Sequence, residues 1–281
     1  MPLPPRPVHS SLELIGNTPV VQLRHVVPDH CAQIFVKLES VNTTGSYKDR
    51  MAKSMVEEAE RRGDLKPGMT VVEATGGSTV SSNAYAVEKL RTIEAFGANL
   101  DLVHSPSGKI TADLVPSMIC RAEAVVDGNN CCFTNQFKNR DALVGYETIG
   151  HELLHQFPER IDAFCGAWPK IHIAVLEPAS SPTITEGHPG VHGVEGVGIG
   201  YIPPLLDRQF YDEALAISKG EGRNMCRRLA KEEGLLVGTP TGLNVLAAIK
   251  IGQQLGPGKI VVIVAADTGL KYLNGSLFAD R

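Results

Sequence analysis

Short apolar runs alternate with helix-length amphipathic stretches along most of this chain, and that order leaves few folds open. Ile34-Phe35-Val36-Lys37-Leu38 ends in a polar turn, and a helical stretch follows from Tyr47 to Arg62, with Met51, Met55 and Ala59 on one face and Gly63 as its stop. Val71-Val72-Glu73 opens into Thr75-Gly76-Gly77-Ser78-Thr79, and a helical pattern runs from Ser82 to Phe96. Leu100 to Val103, Ile171 to Leu176 and Lys259 to Val264 read as further strands. Thr111 to Ala124, Asp212 to Lys219, Glu221 to Glu233 and Thr241 to Leu255 read as helices. Strands that alternate with helices pair in parallel, because the helix returns the chain to the starting edge of the sheet. The expected class is α/β, and 281 residues allow two lobes at roughly 150 residues each.

One junction breaks the alternation. Ile161-Asp162-Ala163-Phe164-Cys165 and Ile171-His172-Ile173-Ala174-Val175 both read as strands, with only Gly166 to Lys170 between them. Parallel neighbours need a crossover of about a dozen residues or more. Either these two strands form a hairpin, or a helix-bearing segment is absent.

Composition narrows the partners. A net charge of −4 creates no field that would draw in nucleic acid or an anionic membrane surface. No apolar run approaches the eighteen or so residues of a membrane span. The start, MPLPPRPVHSS, is a Pro-rich arm without the apolar core of a secretion signal. The six cysteines form no CxxC pair and read as reduced thiols of a cytoplasmic protein.

Two segments carry chemistry. Lys48 sits in Asn42-Thr43-Thr44-Gly45-Ser46-Tyr47-Lys48-Asp49-Arg50, where a glycine turn gives way to a helix. A helix amino terminus disfavours added positive charge, so a lysine there is a candidate for a lowered pKa and for Schiff-base formation with an aldehyde cofactor; the plain alternative is a solvated lysine in a first turn. The loop Thr75 to Thr79 offers N–H groups and hydroxyls at a strand-to-helix opening, a nest for a carboxylate or phosphate, or else an ordinary glycine turn. A third segment, His151-Glu152-Leu153-Leu154-His155, matches the HExxH zinc motif, in which Glu152 would be the general base of a hydrolase and His172, His188 or His192 a third ligand. Tyr146, Ile149, Leu153 and Phe157 form the apolar face of that helix and leave both histidines on a solvated flank, so no metal site is expected.

Taken in order, the motifs resemble the cysteine synthase family of pyridoxal-phosphate enzymes, within the tryptophan-synthase-β-like (fold type II) group. The resemblance runs through Ile15 to Pro19, Asn42 to Arg50, Ala95 to Ala98, Gln136-Phe137, Glu177 to Pro182, Gly196 to Pro203, Glu232 to Gly238 and Asp267 to Leu273. It implies two lobes, each a twisted, mostly parallel sheet flanked by helices, with the cofactor in the cleft between them. The smaller would span residues 42–130 and the larger 1–41 and 131–281. It further implies that Lys48 holds pyridoxal 5'-phosphate and moves the substrate's Cα proton. Thr75, Gly76, Gly77 and Thr79 would grip the substrate carboxylate with Gln136 beside it, and Gly196 and Gly198 would line the cofactor's open side. The implied reaction is β-replacement on an activated serine such as O-acetylserine by sulfide or another thiol, in a homodimer.

Three departures from the family pattern bear on the cofactor. Ser78 stands where the family has an asparagine against the phenolic oxygen. Pro240 stands where a serine or threonine meets the pyridine nitrogen, so Thr239 or Thr241 would have to substitute. The glycine- and threonine-rich phosphate loop that should follow Cys165 is replaced by Gly166-Ala167-Trp168-Pro169-Lys170. With a second shortfall at Thr79-Val80-Ser81, about two helix–strand units, roughly 35 residues, are expected to be missing. Either the sequence omits segments that the protein has, or the protein is a degenerate relative kept for binding or assembly.

Overall fold

The computed structural model describes residues 7–75, 80–127, 130–165 and 171–279. Its first half holds β1 (Val20–Gln22), β2 (Gln33–Lys37), α1 (Lys48–Arg62), β3 (Thr70–Val72), β4 (Val80–Ser82), α2 (Val87–Ala95), β5 (Asp101–Val103), α3 (Leu114–Val126) and β6 (Cys131–Phe133). The second half holds α4 (Asp141–Gln156), β7 (Ala163–Cys165), β8 (His172–Pro178), β9 (Glu213–Ile217), α5 (Lys219–Glu232), α6 (Thr239–Leu255) and β10 (Ile260–Val264). Four short 3-10 turns complete the described elements.

The main sheet has the order β1-β2-β10-β7-β8-β9, parallel except for the β1 edge. β10 reads Ile-Val-Val-Ile-Val because helices cover both faces of the sheet there. Its side chains alternate: Val261 and Ile263 join the core beneath α6 with Val245 and Ile251, while Val262 joins Ile149 and Leu153 of α4. Burying each such side chain contributes roughly 1.5–3 kcal/mol. α4 also crosses α1 so closely that a Cβ on Gly145 would lie 2.4 Å from the Arg50 carbonyl oxygen, so only glycine fits.

A second layer pairs β3 with β6 and β4 with β5, all in parallel. A parallel bridge between Ala74 and Val80 links the two pairs, giving the order β6-β3-β4-β5. Leu114, Met118 and Ala122 of α3 pack on Val72 and Val80. β6 belongs to this layer, pairing Thr70–Val72 with Cys131–Phe133.

Two expectations are corrected. Asp212 to Lys219 contains strand β9, not a helix: its alanines and leucine favour helix locally, but pairing with β8 along five registered positions decides. Ser82 to Phe96 is helical only from Val87, because residues 80–82 pair with β5 and the Asn83 side chain bonds the Ser105 N–H at 2.7 Å and its carbonyl at 3.1 Å. The hairpin at the short junction does not form either. β7 and β8 run parallel, with Ala163 opposite His172. Their connection, 166–170, lies outside the described residues, as does 76–79 between the parallel neighbours Ala74 and Val80. Both connections are far shorter than a crossover helix requires.

Candidate active site

Lys48 is the first residue of α1, and the segment after β10 holds the turn that delivers it. Tyr47 donates its N–H to the Ala266 carbonyl at 3.0 Å, and Thr268 donates to the Gly45 carbonyl at 2.9 Å. Gly45 has φ +76°, and a Cβ there would lie 2.5 Å from Thr268 Cγ2, so the turn requires glycine. Asp49 accepts from the Thr44 N–H at 2.7 Å and from its hydroxyl, closing the helix start. Beside it the Tyr47 and Tyr146 rings stack at 5.3 Å.

The side chain of Lys48 lines a cavity of about 1070 Å³, and its Nζ donates to Gln136 Oε1 at 3.0 Å. Burial, with the Lys89 charge nearby, draws the amine down to about 8, while Glu73 and Asp267 pull the other way. Thr75, Gln136 and Gly196 line the same cavity. Gly198 lies behind the wall: its carbonyl accepts from His192 Nε2, and a Cβ there would meet that ring at 2.9 Å. Gly76, Gly77, Ser78 and Thr79 lie outside the described residues.

Thr239 and Thr241 are not among the residues that line the cavity. α6 begins at Thr239, both threonines are buried, and Thr241 Oγ1 accepts from the Ala266 N–H at 3.1 Å. Pro240 faces the cavity instead, with Asn244 one helical turn further along the same face.

Sequence reasoning missed the charged far wall. Lys89 of α2 donates to the Tyr272 hydroxyl at 2.7 Å and pairs with Glu195 at 2.9 Å and Asp267 at 3.3 Å; these carboxylates raise its pKa against the effect of burial. Lys271 lines the cavity as well, its pKa lowered by burial. Asp267 and Lys271 fall in the motif segment 267–273, whereas nothing in the spacing of Lys89 marks it.

The zinc reading fails on geometry. Glu152 accepts from Lys37 at 2.6 Å, from two Arg50 nitrogens at 2.7 and 2.9 Å, and from the Asn17 and Thr18 N–H groups. Those bonds overcome burial and hold its carboxyl at about 2, so it is a structural anion and not a general base. His151 and His155 are exposed, His172 and His188 face Glu213 and Glu186, and both His192 nitrogens are engaged. No group of three potential metal ligands occurs among the described residues.

A family model described as pyridoxal-phosphate dependent enzyme matches residues 12–88 and 164–267. Cysteine synthase of Staphylococcus aureus is 35% identical over 310 residues, covering 98% of each chain. This chain belongs to the cysteine synthase family of pyridoxal-phosphate-dependent enzymes. Within that family a probable cysteine synthase of Bacillus subtilis is 33% identical over 311 residues, covering 97% of this chain and 98% of its own. The solved O-ureido-L-serine synthase superposes with a TM-score of 0.89 at 29% identity, covering 97% of this chain and 96% of its own. Cysteine synthase of Entamoeba histolytica gives 0.88 at 27%, covering 100% and 94%. The 310-position alignment spans 98% of a 281-residue chain, so about 35 of its positions have no counterpart here. That is the size of two helix–strand units.

The family cofactor fits this cavity at its amine end, where the Lys48 amine is poised near neutrality beside a neutral acceptor. The cavity wall carries Pro240 and Asn244 but neither Thr239 nor Thr241. No helix among the described residues is long and apolar enough to cross a membrane.

Proposed function

We propose that this enzyme catalyses β-replacement on an activated serine, such as O-acetylserine, with sulfide or another thiol entering to give cysteine or an analogue. One observation supports this most: the Lys48 amine, drawn down to about 8, faces the cavity of a chain 35% identical to cysteine synthase. Pyridoxal phosphate, when bound, supplies the electron sink that makes the bonds at Cα and Cβ labile. Lys48 would hold the cofactor through its aldehyde and would move the Cα proton, a task suited to an amine poised near the working pH. Thr75 and Gln136 line the cavity where the substrate carboxylate would be gripped together with Gly76, Gly77 and Thr79, Ser78 would serve the phenolic oxygen, and Gly196 would keep the open side free of side chains. Asn244 is the side-chain donor nearest in sequence to Pro240 on the cavity face.

The purified chain should turn yellow with added pyridoxal phosphate and release cysteine from O-acetylserine and sulfide. A colourless protein that takes up no cofactor overturns the reading. Pro240 favours one further reading, a member with a weakened hold on its cofactor that is slow or chiefly a binding protein. It predicts a folded chain whose absorbance saturates only at high cofactor concentration. We also propose a cytoplasmic homodimer in which residues 42–130 close as a smaller lobe on 1–41 and 131–281; sedimentation and limited proteolysis check these points.

A further inference from the structure

Glu73 is buried in the lining of the Lys48 cavity and forms no ion pair with a cation among the described residues. Its Oε1 accepts from the Ala74 N–H at 2.8 Å, and its Oε2 accepts from the Thr134 hydroxyl at 2.6 Å and the Gln136 N–H at 3.0 Å. The Gln136 side-chain nitrogen faces the same wall, 2.7 Å from the Ala74 carbonyl oxygen and 3.4 Å from Glu73 Oε1. An ionised carboxylate and a backbone carbonyl can only accept. The amide therefore has one satisfied orientation, with its NH2 on Glu73 and Ala74 and its oxygen toward the cavity, where Lys48 Nζ donates at 3.0 Å. The flipped amide would set oxygen against two acceptors and NH2 against an amine, leaving buried polar atoms unpaired on both sides.

We propose that Glu73 is a positioning residue that acts through Gln136, fixing the amide so that its oxygen holds the Lys48 amine at the cavity wall whenever that amine is free of the cofactor. The inference rests on Lys48 being the reactive amine. With the amine free of the cofactor, Gln136 offers the cavity an acceptor, with its NH2 toward Glu73 and Ala74. The other charges acting on the amine, Lys89, Asp267 and Lys271, do so through space. Glu73 alone among them is joined to it by one intervening side chain.

A double-mutant cycle on the cofactor-loaded enzyme tests this. Glu73→Gln supplies an amide that donates or accepts, which leaves only the Ala74 carbonyl to orient the Gln136 side chain. Turnover should fall about 10- to 100-fold with KM changed less than about twofold. In a Gln136→Met background, where no amide is left to orient, the same change should cost less than about twofold. Equal losses in both backgrounds, or no loss in either, overturn the proposal. A second readout is independent of turnover. In the full chain stripped of cofactor, competitive acetylation of Lys48 by acetic anhydride at pH 7 should rise at least about threefold in Glu73→Gln, because loss of the carboxylate and of the ordered acceptor both favour the neutral amine. Unchanged labelling overturns it. If Glu73→Gln fails to melt cooperatively, Thr134→Val, which loosens the same carboxylate, must show the same coupling to Gln136→Met with a smaller amplitude, and additive losses there overturn the proposal. Lys48→Ala separates the two levels. If it keeps its absorbance and turnover, the parent reading fails; if it loses both while the cycle is additive, only the role of Glu73 fails.

Discussion

A buried lysine and a half-buried one show what separates a structural amine from a reactive one. Lys37, at the end of β2, has no exposed surface and donates to the Thr18 carbonyl at 2.7 Å, Glu152 at 2.6 Å and Gln156 Oε1 at 3.0 Å. Arg50 adds a forked pair with Glu39 at 2.7 and 2.8 Å and bonds Glu152 as well. Lys48, two residues before Arg50, meets one neutral oxygen among the described residues and a cavity. Burial lowers both amines, but at Lys37 it is opposed first by a direct bond to Glu152, whereas at Lys48 the Lys89 charge adds to it. Burial alone therefore does not make a lysine reactive; what matters is how many acceptors greet it. The first turn of α1 serves both regions, with Arg50 anchoring the ion cluster and Lys48 facing the cleft.

Four substitutions would break or sharpen that contrast. The largest effect is expected for Lys48→Ala, which should remove visible absorbance with pyridoxal phosphate and lower turnover by about 10³-fold or more, while Tm stays within about 2 °C. A spectrum unchanged by the substitution would make Lys48 as structural as Lys37. Next, Glu152→Gln should cost about 3–5 kcal/mol of stability in urea unfolding, because it strips the shared anion from two buried cations. Its carboxyl is held at about 2, below its ordinary value near 4.3, so the unfolded chain takes up the proton first. Its contribution is complete above about pH 4.3 and is lost as pH falls toward about 2, so the variant should lose that acid limb. Equal acid sensitivity in both proteins would contradict the assignment.

A moderate shift is expected for Lys89→Met. Cofactor loading should rise with pH around a midpoint near 8 in the native chain and around a higher midpoint in the variant. The removed cation lowers the Lys48 pKa, and its loss frees the Asp267 charge to raise it. A midpoint that stays put or falls would show that Lys89 does not tune the amine. The smallest effect belongs to His151→Ala, which should change stability by less than about 0.5 kcal/mol and leave metal content unaltered. Stoichiometric zinc that disappears in the variant would reinstate the hydrolase reading.

Much of the fold is legible in one dimension. The helix from Lys48 to Arg62, its apolar Met51 and Met55, and the buried run Ile260 to Val264 follow from periodicity and from glycine stops. β9 was not legible, because an edge strand rich in alanine carries helical propensity and only its pairing with β8 overrides it. The parallel pairing of β7 with β8 was not legible either, since a five-residue link suits a hairpin equally well. At the site, Lys48 announces itself by its place at a helix start, and Gln136 by its motif. Pro240 was legible as a lost hydroxyl, but the bond that Thr241 Oγ1 accepts from the Ala266 N–H, 25 positions away, was not.

The sequence by itself determines that strands and helices alternate, that a lysine opens the first long helix, and that about 35 positions of its relatives have no counterpart. It likewise determines that no hydroxyl stands at position 240. Only the tertiary structure decides which of Lys37 and Lys48 is held and which is poised. The acceptor of Lys48 lies 88 positions away, and Glu152 lies 115 from Lys37. Hydrogen bonds and charges act over a few ångströms through space. Helical and strand periodicity reports only which face a residue occupies, so it cannot say what waits on the other side.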